Sequence, residues 1–169
     1  MTIKTHRLVL KEITENDFSS LFDLLTNEEV KKTYLVPDFK DREDFLKMFN
    51  HLKNLSQKPD SRTFGVFLNE DLIGLFHEVA VTGSSIEVGY AIHPHYQNQG
   101  YATEALKAGI HHFFEKGFSE VYAGAFKINT ASLKVMEKVG MRKTNMKASV
   151  DYRGKTYPCI YYSIKKNQI

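Results

Sequence analysis

The sequence predicts a single α/β (α+β) domain over residues 1–169, built on a mixed, mostly antiparallel central sheet of about seven strands flanked by four helices. Three observations predict it. Between residues 62 and 93 three runs alternate apolar and polar residues with period two and are separated by turn-forming clusters, the pattern of an antiparallel meander. From 86 to 126 a strand, a small-residue helix and a second strand follow one another, a βαβ unit that adds a parallel pairing. Two earlier segments repeat their apolar residues at helical spacing.

Taken in order, RLVLKEI (7–13) alternates well enough for a first strand. Asn16 and Asp17 supply a helix start, after which Phe18, Leu21, Phe22 and Leu25 fall on one stripe. Residues 28–41 are mixed and contain Pro37, so a loop is expected; a second helix over 42–55 carries Phe45, Leu46, Phe49 and Leu52. The meander follows as 62–68, 72–81 and 86–93, stopped by Pro94. A helix from 101 to about Lys116 ends on Gly117, a strand covers 120–126, and a helix over 129–139 ends on Gly140. Strands at 141–150 and 156–164 close the chain around an Arg153-Gly154-Lys155 turn.

Composition excludes several functions. A formal net charge of +3 leaves room for an anionic ligand but lacks the basic clusters of a nucleic-acid-binding surface; Lys31-Lys32 and Lys165-Lys166 are pairs, not patches. No run approaches the ~18 apolar residues of a membrane span, and Lys11 and Glu12 interrupt the first apolar stretch before it reaches signal-peptide length. Cys159 is the single cysteine, so no internal disulfide forms and a reducing, cytoplasmic setting is expected.

The most informative stretch is YQNQGYATEAL (96–106), where a strand turns into a helix through one glycine. Such a junction leaves several backbone N–H groups unpaired at a positive helix terminus, which suits an anion. A Walker loop is excluded because Gly100 is followed by Tyr101-Ala102 instead of Lys-Ser/Thr; a dinucleotide fingerprint is excluded because it needs three glycines early in the chain. What remains is Gln97, two spacers, Gly100, one spacer and Ala102.

That pattern resembles the acyl-CoA pyrophosphate loop of the GCN5-related N-acetyltransferase (GNAT) superfamily: Arg or Gln, two spacers, Gly, one spacer, Gly or Ala. NTASLKVMEKVGM (129–141) resembles the superfamily's second signature, and THRLVLKEI with SSIEVGYAIHPHY is similar to the RimJ/RimL-like branch, named for ribosomal-protein N-terminal acetyltransferases. The resemblance covers nearly the whole chain and is firmest over 62–143. It implies acetyl-CoA as cosubstrate, no metal, and transfer of acetyl by direct attack of a primary amine in a ternary complex. The acceptor is then a protein N-terminal amine or a small amine, and a homodimer is among the partners it allows. It further implies that Gln97, Asn98, Gln99, Gly100, Tyr101, Ala102 and Thr103 cradle the pyrophosphate. The backbone around Ile92 and His93 would hold the pantetheine arm and thioester, Asn129 would bond the arm, and Lys134 or Lys138 would meet a phosphate.

Amine acetylation needs a base, an oxyanion site and a proton for the leaving thiolate. For an amine of pKa ~10.4, deprotonation near neutral pH costs about 4–5 kcal/mol; for an N-terminal α-amine of pKa ~8 it costs only about 1 kcal/mol. Parity puts Glu87, Gly89, Ala91 and His93 on one face of their strand, opposite Ile86, Val88, Tyr90 and Ile92. A carboxylate beside two tiny residues suggests room for a ligand, which makes Glu87 the candidate base, with His93 a second. Much of the superfamily carries a tyrosine seven residues after the helix-leading asparagine; counting from Asn129 reaches Met136, which has no proton to give. Ser132 shares that helix face and is the hydroxyl that the RimJ/RimL-like branch places near the CoA sulfur, so it is both the candidate acid and a cofactor contact. Glu28, Glu29, Asp38 and Tyr34 would suit a cationic acceptor, although Lys31 and Lys32 stand among them. The missing tyrosine keeps open a non-catalytic CoA-binding module.

Overall fold

The computed structural model describes all residues from Met1 to Ile169. Its elements run β1 (Ile3–Lys4), β2 (Leu8–Lys11), α1 (Phe18–Thr26), α2 (Glu28–Lys31), α3 (Arg42–Ser56), β3 (Thr63–Leu68), β4 (Asp71–Thr82), β5 (Ser85–Ile92), α4 (Tyr101–Glu115), β6 (Glu120–Phe126), α5 (Thr130–Lys138), β7 (Arg142–Tyr152) and β8 (Lys155–Lys165). They form one eight-stranded sheet in the order β1-β2-β3-β4-β5-β6-β8-β7. Every pairing is antiparallel except β5–β6, as the βαβ reading requires.

Two elements exceed the seven strands and four helices expected. β1 is two residues long, too short to show a period, and exists because Ile3 and Lys4 pair with Leu10 and Val9. α2 is a single turn inside the expected loop, started by the Asn27 side chain, which accepts the Glu29 N–H.

Apolar burial falls into two cores, one on each face of the sheet. α4 and α5 cover a cluster that includes Phe64, Phe76, Ile110, Phe113 and Met136. α1 and α3 cover the other, where Phe18 meets Phe45 and Phe49 edge-on. α4 lies close against its face because Gly109 has no side chain; a Cβ there would sit 2.2 Å from the Phe76 ring. Met136 is fully buried, so its position serves packing.

Candidate active site

The site begins where the sheet comes apart. β5 and β6 pair only from Ser85↔Glu120 to Val88↔Ala123, after which β5 continues to Ile92 while β6 stays with β8 as far as Phe126↔Cys159. A wedge opens between the two parallel strands, and a cleft of about 930 Å³ runs through it between the α4–α5 side and the α2–α3 side. The strand opposite carries a β-bulge: Glu78 faces Val88 and Ala80 faces Glu87, which leaves Val79 between them without a partner, 52% exposed at the cleft.

On the α4 side the cleft is lined by backbone. The His93 N–H donates to the Ile73 carbonyl at 2.8 Å. Alternation of the antiparallel ladder therefore turns Ala91 and Gly89 toward β4, and the N–H groups of Tyr90 and Ile92 toward the wedge. This corrects the expectation for His93, whose donor is used inside the sheet; the Ile92 N–H faces the opening. The His93 ring is buried too. Its Nδ1 accepts from the His95 N–H, and its Nε2 lies 2.9 Å from the Asp23 carboxylate, away from the cleft. His93 is an anchor for the strand end, not a base.

Gln97 also folds inward, donating through Nε2 to the Ile92 carbonyl at 2.9 Å and so fixing the loop to the strand. Asn98 and Gly100 adopt positive φ, 60° and 84°, and Gly100 starts α4. The backbone N–H groups from Asn98 to Thr103 donate to no protein acceptor, and they include the first turn of a fifteen-residue helix. Arg7 braces this loop from behind. It donates to the Gln99 carbonyl at 2.9 Å, pairs with Glu104 at 2.7 Å and lies over the Tyr101 ring at 4.5 Å. Burial opposes charge on Glu104, yet bonds from Thr5 and from the Arg7 backbone and guanidinium together hold its carboxyl below the usual range. A Cβ on Gly100 would meet Arg7 Nη2 at 3.2 Å, so a side chain there is opposed both by the positive φ and by Arg7. Sequence reading missed Arg7 because nothing local links it to a loop more than ninety residues away.

Across the wedge, Asn129 caps α5 by accepting the Ser132 N–H at 3.1 Å, with its amide nitrogen left over. The Ser132 hydroxyl points back to the sheet and meets the Tyr90 hydroxyl at 2.9 Å. Burial, partly offset by this bond, pushes the Tyr90 phenol up to about 12, which keeps its proton in place at working pH. Tyr90 is the second residue that sequence reading passed over; parity put it on the strand face opposite Glu87 but could not pair it with Ser132. Lys134 and Lys138 line the same side of the cleft, and Lys134 is exposed.

On the α2–α3 side the cleft is lined by side chains. Glu87 reaches it half-buried, and burial raises its carboxyl above the usual range. The space at Gly89, expected for a ligand, holds the His77 ring instead: a Cβ would lie 2.7 Å from His77 Nε2. His77 Nδ1 donates to the Glu78 carbonyl, so Nε2 accepts from the Tyr34 hydroxyl at 2.5 Å. Burial lowers the His77 pKa and raises that of Tyr34, keeping both neutral. The acids on 28–41 are likewise engaged: Glu28 and Asp38 pair with Arg153 at 3.1 and 3.2 Å, Asp38 also with the buried Lys31, and Glu29 with Lys32. Lys31 and Lys32, which the sequence placed among them, are thus two of their partners, and Arg153 is the third.

The family model for the acetyltransferase (GNAT) domain matches residues 7–142. The chain belongs to the GNAT acetyltransferase family. It is 29% identical over 170 residues to the uncharacterized N-acetyltransferase YoaA of Bacillus subtilis, covering 97% of this chain and 96% of that one. It is 29% identical over 122 residues to the ribosomal-protein-serine acetyltransferase of Escherichia coli, covering 69% and 68%. Among solved structures, an acetyltransferase of the GNAT family from Bacillus anthracis superposes with a TM-score of 0.84 at 26% identity, covering 99% of both chains. The mixed α/β architecture with a mostly antiparallel sheet is thus the GNAT fold, and RimL-like enzymes are among its relatives.

Proposed function

We propose that this acetyltransferase uses acetyl-CoA as cosubstrate and passes its acetyl group directly to a primary amine bound in the same cleft. One observation carries the proposal. A row of unpartnered N–H groups, from Asn98 to Thr103, opens on the wedge that holds Glu87 on one side and Ser132 on the other. Gly100, Tyr101, Ala102 and Thr103 would present the helix terminus to the pyrophosphate, with Gln97 and Gln99 shaping the loop. The Ile92 N–H would hold the pantetheine arm, joined by the Asn129 amide, while Lys134 would meet a phosphate.

Glu87, directly or through a water, accepts a proton from the ammonium group. The free amine attacks the thioester carbonyl, the C–S bond breaks as the carbonyl re-forms, the nitrogen gives up its second proton and the thiolate takes one, leaving amide and free thiol. Tyr90, held protonated, donates to the Ser132 oxygen, which frees the Ser132 proton to point at the sulfur. The role that a tyrosine at position 136 would play thus falls to a hydroxyl pair on β5 and α5. The reaction belongs in the cytoplasm, where the free thiol of Cys159 stays reduced.

Thermal shift with acetyl-CoA, followed by thiol release against a panel of amines and N-terminal peptides, tests this reading. Stabilisation by the cofactor and turnover with at least one amine are expected. Absence of both at millimolar ligand would sink it.

A further inference from the structure

The cleft's charges and its exposed apolar side chains bear on which amine it takes. This step rests on the acetyl-transfer reading and narrows the acceptor. Three carboxylates line the cleft. Glu29 is paired with Lys32, and Glu78 with Arg62 at 2.7 Å; Glu87 has no cationic partner. The lysines that line the cleft, Lys134 and Lys138, both sit on α5, beside the proposed cofactor site. On the acceptor side there is therefore one place for one ammonium group, and neither lysine nor arginine to receive a carboxylate or phosphate of the acceptor.

The apolar surface is as informative. Leu35 and Val79 are each 52% exposed, large, and part of the cleft lining. Val79 stands there because the β4 bulge removes it from the ladder, next to Gly89 and close to Glu87. Tyr34 and Tyr161 add aromatic surface, and burial together with the nearby Glu87 charge keeps the Tyr161 phenol neutral. Uncovered apolar side chains of this size beside a single carboxylate suit a ligand with an apolar body. The walls are also joined at one end. The Tyr152 hydroxyl, on the β7–β8 hairpin, donates to the carbonyls of Tyr34 and Val36 at 3.2 and 3.1 Å, and Arg153 adds its two ion pairs. A joined wall favours a short acceptor over an extended chain.

The geometry points to a small primary monoamine with an uncharged, largely apolar body, an arylalkylamine or short alkylamine, as the acceptor. Polyamines need a second carboxylate that the cleft lacks, and free amino acids need a cation on the acceptor side.

Thiol release with 2-phenylethylamine, phenylalanine amide, free phenylalanine, spermidine and a serine-led pentapeptide decides it. Phenylethylamine is expected to exceed spermidine and free phenylalanine in kcat/KM by at least about tenfold, with phenylalanine amide well above the free acid. Leu35→Glu, at an exposed position, should lower phenylethylamine turnover, raise that of spermidine and leave CoA affinity unchanged. Parity or preference for spermidine, for the free amino acid or for the pentapeptide would overturn the inference while leaving acetyl transfer intact. Cofactor binding without thiol release from any acceptor would remove both.

Discussion

The two sides of the cleft are built on different principles. The α4–α5 side presents backbone to the cleft: loop N–H groups, a helix terminus and a strand edge, supported by Gln97, Arg7 and Asn129 from behind. The α2–α3 side presents side chains, most of them already satisfied by one another, with Glu87 left without a cation. Backbone donors suit a ligand part that never changes, whereas side chains can be exchanged without disturbing the fold. Substitutions on the two sides should therefore separate cleanly, cofactor affinity responding to one and acceptor kinetics to the other.

The largest separation is expected from Glu87→Gln. Removing a general base should cost about 100-fold in kcat/KM for the amine with CoA affinity unchanged, measured by thiol release and calorimetry. Because burial raises the Glu87 pKa, wild-type activity should fall with decreasing pH earlier than an ordinary carboxylate would dictate. Stability follows the opposite sign. The fold favours the protonated carboxyl, so its contribution fades as pH rises through the raised pKa, and Glu87→Gln should melt at an equal or higher temperature near pH 7.5. A melting point lowered by the substitution would show that the carboxylate holds the fold and does not serve the amine.

Gly100→Ala addresses the other side. A non-glycine residue forced into the left-handed region costs roughly 1–2 kcal/mol, which corresponds to about a tenfold loss of CoA affinity if the loop shifts to relieve it. The amine KM, extrapolated to saturating acetyl-CoA, should not move. A smaller effect is expected from Tyr90→Phe: a several-fold drop in kcat, of the order of one neutral hydrogen bond, without change in CoA binding. Loss of CoA affinity in that variant would make Tyr90 a packing residue. The smallest is Tyr152→Phe, which frees the hairpin from the Tyr34–Val36 segment. A two- to threefold rise in amine KM is expected, again of the size of one hydrogen bond, with the cofactor side untouched.

The same contrast explains what could be read from the residues alone. The loop at 98–103 was legible as a strand-to-helix junction because a glycine and a helix start determine its backbone geometry within six consecutive residues. The strands of the meander were legible within a residue or two because one face or both are buried, which imposes a pattern. Glu87 reached the cleft as parity required, but the small residues beside it leave no free space, since His77 fills the position at Gly89 and Ala91 joins the α1–α3 core. Among the acids of 28–41 the local partners Lys31 and Lys32 could be seen, but Arg153, which pairs with Glu28 and Asp38, lies more than a hundred residues away and could not. Ser132 was singled out by the resemblance together with its place on the helix; Tyr90 was not, because a contact between a strand and a helix forty-two residues later leaves no local trace.

One contact outlasts the comparison. Arg7 reaches the Gln99 carbonyl and the Glu104 carboxylate across more than ninety residues, so the loop that would hold the cofactor is completed by the turn between the first two strands. Local sequence can start the helix, but the loop acquires its brace only when the beginning of the chain has docked on the finished sheet. Contacts of such separation close late in folding, because their loop entropy must be overcome first. Coenzyme affinity is thereby tied to completion of the whole sheet, and a chain whose leading strand has come loose should lose its ligand before it loses its helices.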